Sequence, residues 1–403
     1  MSGESREPTK VDFRSLFAGD REKHQKEEWK GSFVDYLELV RDGSVRPQLA
    51  HRKMHAMIES GGSRPILETD DQRIHRLFQH QDTLRTHGFF ADFFGIEEVV
   101  AKIARYFQSA ALRGEESRQV LYLMGPVGSG KSSLAEHLST GLESLQPFYA
   151  IAGCPMFEEP LHLLPRHLRS EFEKMLGVTF DKGADLCPIC RFRLKDEFGG
   201  KYEDVPVELV SYSKRNRRGI AVVPPVDPNN QDTAVLIGSE DLSKLDRFSE
   251  RDPRVLDLNG ALNVGNRGLV EFVEVFKNET EYLHAIITAT QEKVIPAPGR
   301  HGMIYVDTVI VAHSNEAEWN KFKGDHTNEA ILDRIVVVKV PYNLRLSEEV
   351  KIYQKIIRSA DFGGVHFAPH TLEVASMFAI LSRLEPTAKC DLMTKLKIYN
   401  GEE

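Results

Sequence analysis

Short apolar runs of β-branched character recur through the middle of the chain, with helical periodicities on either side. Phe33, Tyr36, Leu37 and Val40 repeat at helical spacing, and Gly43 stands where such a helix would stop. A second helical stretch covers about 47–59 and ends at Gly61-Gly62. Its His51 and His55 are four residues apart, which reads as a solvated or partly packed helix face in the absence of a third ligand. Val100, Ile103 and Phe107 mark an amphipathic helix leading into an apolar strand at 119–124. A helix-like segment follows at 133–145, and 148–151 reads as a second strand. Apolar runs at 269–275, 308–313 and 335–340 have the length and composition of buried parallel strands. From Ser347 the period is helical again, through Val350, Tyr353, Ile356 and Ile357, then Leu372, Ala375, Phe378, Ala379 and Leu384.

This pattern predicts an α/β, three-layer P-loop core over 89–342. A charge-dense flexible lead-in precedes it at 1–31 and a small helical N-terminal domain at 32–88, with a helical region at 343–403. Between 153 and 232 the sequence is Pro-rich, charged and Cys-bearing, too long for a connection, and reads as an insertion in the core.

The chemistry concentrates where the first strand meets its helix. Gly125-Pro126-Val127-Gly128-Ser129-Gly130-Lys131-Ser132-Ser133 contains Gly-x-x-x-x-Gly-Lys-Ser between strand and helix, the context a phosphate-binding loop requires. The glycines let backbone N–H groups turn onto phosphate oxygens. Lys131 is placed to reach the β- and γ-phosphates and the Ser132 hydroxyl to ligate Mg²⁺, so the expected ligand is ATP with Mg²⁺.

Composition narrows the rest. The 403 residues are 41% hydrophobic and 28% charged, as in an ordinary globular protein. A formal charge of −8 argues against a general nucleic-acid binder. The N-terminus is not signal-like and no apolar run is long enough for a membrane span, so the expected setting is cytoplasmic, without a membrane partner. Four cysteines give no disulfide framework.

Hydrolysis needs a carboxylate for water, a polar sensor near the γ-phosphate and a cation for developing charge. Glu274 ends the 269–275 run, Asn315 follows the 308–313 run, and Arg334 stands just before the last strand. Arg334 reads either as the cation for developing charge or as a plain salt-bridge residue. Cys187-Pro188-Ile189-Cys190 has zinc-knuckle spacing but is half a site; Cys154 with His162 or His167 would complete it if the insertion folds back, and otherwise the thiols are simply reduced. The basic run 214–218 reads as a solvated loop. Asp361-Phe362-Gly363 matches a protein-kinase metal tripeptide but lacks the accompanying His-Arg-Asp loop, and reads as a turn.

Asn266-Arg267-Gly268 followed by an apolar strand and glutamate resembles the AAA+ ATPases, in particular the chelatase-like and MCM-like branches, as does Leu236-Ile237-Gly238-Ser239. The fuller set is similar to the AAA region of the PrkA family over about 30–403. It comprises the P-loop through Leu134, Cys154-Pro155-Met156 to Glu159-Pro160-Leu161-His162, Leu186 to Arg191, and Ala312-His313-Ser314-Asn315-Glu316. The resemblance implies an AAA ATPase module of a bacterial serine protein kinase, or of an ATP-driven remodeller, protease-like machine or nucleotide-gated adaptor. It also implies a protein substrate or client and a ring or filament of identical subunits. Family members are longer, so 343–403 would be the start of a helical lid, incomplete at Glu403, with Arg383 an available arginine on its last helix. One departure stands out: AAA+ proteins usually carry an aspartate for Mg²⁺ before the catalytic glutamate, and here it is Val273, with Glu271 two residues, about 7 Å, deeper in the sheet.

Overall fold

The computed structural model describes residues 29–65, 85–181, 183–225, 232–278, 280–360 and 365–402. Residues 1–28 of the lead-in and the Asp361-Phe362-Gly363 tripeptide lie outside the described residues.

Five parallel strands form the central sheet: β1 (Val120–Met124), β2 (Ile220–Val223), β3 (Leu269–Val273), β4 (Val309–Ser314) and β5 (Ile335–Lys339). Their order across the sheet is β5-β1-β4-β3-β2. Successive side chains of a strand point to opposite faces, and here each face is apolar. Val120, Tyr122, Val270, Phe272, Ile310 and Ala312 belong to one buried cluster; Leu121, Leu123, Leu269, Val309 and Val311 belong to the other. Because both faces must be covered, the fold has three layers.

The helices that cover them are α1 (Phe33–Arg41), α2 (Ala50–Ser60), α3 (Glu97–Ala111), α4 (Lys131–Glu143), α5 (Pro188–Asp196), α6 (Thr280–Gln291) and α7 (Glu316–Lys323). Met54 and Met57 of α2, Ile103 and Phe107 of α3 and Leu134 and Leu138 of α4 fill one face; Leu283 and Ile286 of α6, with Phe33 and Tyr36 of α1, join the other cluster. The 32–88 segment therefore differs from expectation. Its described helices build no core of their own but pack into the two cores of the sheet, and the α2 N-terminus is tied in by Ala50 N–H donating to Asp307 Oδ2 at 2.7 Å.

The strand at Phe148–Ile151 also departs from its expected place. It pairs antiparallel with Pro206–Val210, which in turn pairs with Lys30–Ser32, forming a separate three-stranded sheet. The second strand of the parallel sheet is instead Ile220–Val223. The expected 153–232 insertion thus contains a core strand. Burial does not separate the two runs, since each has one partly exposed residue, Val222 and Tyr149; what differs is the partner, β3 for Ile220–Val223 and Pro206–Val210 for Phe148–Ile151.

The C-terminal region holds α8 (Leu346–Ser359), α9 (Thr371–Arg383) and α10 (Leu392–Tyr399) around a small cluster of Ile380, Leu384 and Leu396. It is fastened to the core by ion pairs from Arg345 to Glu97 on α3 and from Lys355 to Asp92.

Burial sets a pH limit on this core. His51 on α2 is buried and His162 is partly buried with its Nδ1 closed off from solvent, and burial lowers each to about 4 against the partial opposition of Asp307 and Glu159 respectively. Both are neutral in the folded chain, while the unfolded chain takes up their protons below about 6.5. Stability is therefore lost as pH falls from about 6.5 toward 4, by up to about 3 kcal/mol per histidine. His162→Leu should flatten this acid limb: its urea midpoint should drop less between pH 6.5 and 4.5 than that of the parent.

Candidate functional site

The phosphate loop connects β1 to α4 at the C-terminal end of the sheet. Gly128 and Gly130 take φ of +80° and +90°, the left-handed region that glycine alone enters freely. Gly125 serves a different need, close approach. A Cβ there would lie 2.0 Å from the Val340 carbonyl oxygen, just past β5. Gly125→Ala must therefore push β5 and the loop apart, costing about 1–3 kcal/mol of stability. We expect it to weaken binding of a fluorescent ATP analogue at least tenfold, measured by titration.

Lys131 begins α4 and is buried, its Nζ donating to the carbonyls of Gly125 at 2.8 Å and Pro126 at 2.6 Å. Burial lowers its pKa, and the charges of Glu316 and Glu274 pull it back. The charges of two carboxylates thus act on the lysine ammonium, although each is paired with another lysine, Glu274 with Lys277 and Glu316 with Lys339. Ser132 and Ser133 are exposed at the first turn of α4, and the buried Ser129 Oγ has no hydrogen-bond partner among the described residues. Val127 is 79% exposed at the loop tip. A cradle of backbone N–H groups, one helix N-terminus, one ammonium and an unsatisfied hydroxyl fits a polyphosphate chain.

Glu274 follows β3 in the left-handed region, at φ 50° and ψ 49°. A non-glycine residue held there carries strain of about 1–3 kcal/mol, which folds tolerate mainly at functional positions. Its carboxylate is paired with Lys277, which also lies 3.8 Å from Glu318. Glu271, two residues earlier, is spoken for. It is buried, accepts from or pairs with His313 Nε2 at 3.2 Å, and lies 4.0 Å from Lys214. Glu271 therefore does not replace the aspartate that Val273 lacks. Lys214 itself pairs with Glu136 on α4, so this member of the basic run is anchored on the core.

Asn315 lies at the C-terminal end of β4, between the loop and β3, and caps α7 by accepting the Glu318 N–H at 2.9 Å. Capping commits Oδ1, while Nδ2 makes no hydrogen bond among the described residues. The cap also sets Glu316 in the first turn of α7, where its charge reaches Lys131.

Arg334 is at the other end of the sheet. Ile335 pairs with Val120 and Lys339 with Met124, so Arg334 is separated from the loop by the whole of β1, about 16 Å. Its Nε donates to Gln291 Oε1 at 2.6 Å and its guanidinium to the Ala330 carbonyl. The structure does not bring it together with Lys131, Glu274 and Asn315.

Two further residues touch this region: Tyr342, which the sequence reading does not single out, and Arg383, which it notes as an available arginine. The Tyr342 hydroxyl donates to the Val127 carbonyl at 2.9 Å. The Arg383 guanidinium lies 5.1 Å above the Tyr342 ring and bonds Glu349 at 3.0 Å, so Arg383 stacks toward the loop instead of lying on a solvated helix face. A tyrosine two residues past a strand carries no spacing signal by itself.

In the cysteine region, Cys154, Cys187 and Cys190 do converge, but His162 is not with them. It packs edge-on against Tyr305, with ring centroids 5.3 Å apart. The fourth group is Glu158.

Comparison with known proteins agrees with this architecture. Residues 31–391 match the PrkA AAA domain. An "ATP-dependent protease PrkA" of Bacillus subtilis is 41% identical over 391 residues, covering 95% of this chain and 59% of that protein. A "Serine/threonine kinase YeaG" of Escherichia coli K12 is 38% identical over 368 residues, covering 90% of this chain and 56% of that protein. The chain thus spans less than two thirds of the length of either relative. Among solved structures, NtrX of Brucella abortus in complex with ATP aligns at 14% identity and a TM-score of 0.35, over 74% of this chain and 48% of that one. The magnesium chelatase subunits BchI and BchD align at 14% and 0.39, over 77% and 74%. No helix among the described residues is long and apolar enough to cross a membrane. The chain has an AAA-type P-loop fold and belongs to the PrkA family.

Proposed function

We propose that this chain binds ATP at the 125–133 loop and hydrolyses it as the motor of a larger protein-handling enzyme. The observation that carries the reading is the glycine-built phosphate cradle between β1 and α4, with the Lys131 ammonium buried in it against the loop carbonyls. Backbone N–H groups of the loop and Lys131 hold the phosphates. In accepting a γ-phosphate, Lys131 gives up the carbonyls of Gly125 and Pro126. The Ser132 hydroxyl would hold Mg²⁺, which would supply charge neutralisation when bound. Glu274 accepts a proton from the attacking water once Lys277 releases it, and Asn315 Nδ2 orients the γ-phosphate end of the site.

The relatives carry two names, an ATP-dependent protease and a serine/threonine kinase, and an ATP-binding loop suits either activity. A protein is the natural substrate or client under either name, and we place the chain in the cytoplasm as a self-associating module. A second reading, a nucleotide-gated adaptor with little turnover, is favoured by Val273 in the metal-aspartate position and by the Glu274–Lys277 pair. Phosphate release measured beside transfer of labelled γ-phosphate to candidate proteins separates the readings. Release without transfer supports the hydrolysing motor, transfer supports the kinase, and tight binding with neither supports the adaptor.

A further inference from the structure

We infer that Cys154, Glu158, Cys187 and Cys190 form a structural zinc site. Their ligand atoms lie within 4.8 Å of one another, and all four residues are at most 4% exposed. Tetrahedral ligands about 2.3 Å from a zinc ion stand roughly 3.8 Å apart, so only a small contraction separates this cluster from a closed site.

Two segments deliver the four groups, and each is built for it. After the strand Phe148–Ile151 the chain turns sharply through Gly153, at φ +69°, and Phe157, at φ +51°. Hydrogen bonds from Cys154 N–H to Ile151 O at 3.1 Å and from Ile151 N–H to Glu158 O at 3.0 Å close the turn. It places Cys154 and Glu158 side by side. Across from it, Cys187 caps the N-terminus of α5, with Pro188 as the first helical residue. The Cys190 N–H donates to Cys187 Sγ at 3.3 Å, so the sulfur itself serves as the helix cap.

Glu158 is the telling member. Its Oε1 accepts the Cys187 N–H at 2.6 Å and its Oε2 the Cys154 thiol at 3.3 Å, and among the described residues no lysine, arginine or histidine pairs with it. A carboxylate 1% exposed without a cationic partner is costly to bury. A dication among three sulfurs removes that cost. Three thiolates with one carboxylate select Zn²⁺ over the hard cations Mg²⁺ and Ca²⁺. Four protein ligands in a buried pocket leave no open position for substrate, so the role is structural. On binding, the thiol protons leave to solvent, and affinity falls as pH falls.

The ion would staple α5 to the turn after Phe148–Ile151, an edge strand of the three-stranded sheet. That turn is also held by Asn266, whose Nδ2 donates to Met156 O at 2.9 Å, and by Arg267, whose guanidinium reaches Tyr149 O and Glu159. Asn266 and Arg267 lead directly into β3, the strand that ends at Glu274. The site therefore fixes the outer support of the strand carrying the catalytic carboxylate.

The test is elemental analysis of untagged protein purified without added metal or chelator. One zinc per chain is expected, falling below about 0.1 equivalent in Cys187→Ser. Because that variant risks misfolding, the native protein is also titrated with an organomercurial while released zinc is read by a colorimetric chelator. Zinc should appear in step with modification of three thiols. Glu158→Gln should release zinc to the chelator about tenfold faster or more. Folded native protein with less than a tenth of an equivalent overturns the inference. So does one equivalent of iron, or zinc that persists in Cys187→Ser. Release at the parental rate from Glu158→Gln removes Glu158 from the ligand set and overturns the site as stated.

Discussion

Glu274→Gln suppresses phosphate release by about 10² to 10⁴-fold and leaves ATP binding intact. The amide preserves the shape of the side chain at the end of β3 but accepts no proton from the attacking water. The effect is expected to be large because Glu274 has no substitute. Glu271 is buried against His313 and Lys214, and position 273 is valine. The charge of Glu316 acts on Lys131 as well, but Glu316 is paired with Lys339 at 3.4 Å from the first turn of α7. Lys131→Ala behaves differently. It removes the ammonium that meets the phosphates and abolishes binding itself, so the two variants separate in an equilibrium titration with a labelled ATP analogue. Phosphate release from Glu274→Gln at the parental rate would sink the assignment of this residue. Loss of binding in that variant would instead show that Glu274 acts mainly on the metal.

The parts of this site that were legible in the sequence are those with both a spacing and an apolar run beside them. The loop, Glu274 and Asn315 each follow a strand whose burial on both faces makes it a continuous hydrophobic word, and the structure sets all three at one end of the sheet. The edge strand Ile220–Val223 was missed because it is four residues long and sits in a charged, Pro-rich stretch. Phe148–Ile151 has the same local character as a core strand, and only long-range pairing with Pro206–Val210 decides its sheet. Likewise, α1 and α2 are amphipathic in the way any small domain's helices are. Which core their apolar faces join is not encoded in their own period. At the cysteine cluster the ligand type misled: His162 is the more familiar zinc ligand, while a glutamate four residues upstream carries no signal until the turn folds it back. Tyr342 and Arg383 show the same limit, since their stacking over the loop exists only once α9 is docked.

Arg334→Ala loses activity by about 10³-fold while still binding ATP, and the loss is repaired by a partner subunit. The argument begins from distance. A transferring γ-phosphoryl needs a cation, and about 16 Å of β1 separate Arg334 from its own loop, beyond the reach of an arginine side chain. An arginine in that place does not reach its own nucleotide, and the role proposed for it is on a neighbouring subunit's. Its guanidinium is held by Gln291 at the end of α6 and by the Ala330 carbonyl, which fixes the side chain at the N-terminal edge of the sheet. If it serves a neighbouring subunit, specific ATPase activity rises with protein concentration. Mixing Arg334→Ala, which keeps a working loop, with Lys131→Ala, which keeps a working arginine, then restores activity at the interfaces where the two intact halves meet. Gln291→Ala is expected to lower activity less than Arg334→Ala, because it frees the guanidinium without removing it. The mixture is decisive: two inactive variants that co-assemble in sedimentation yet never complement would make Arg334 a residue that only ties α6 to β5.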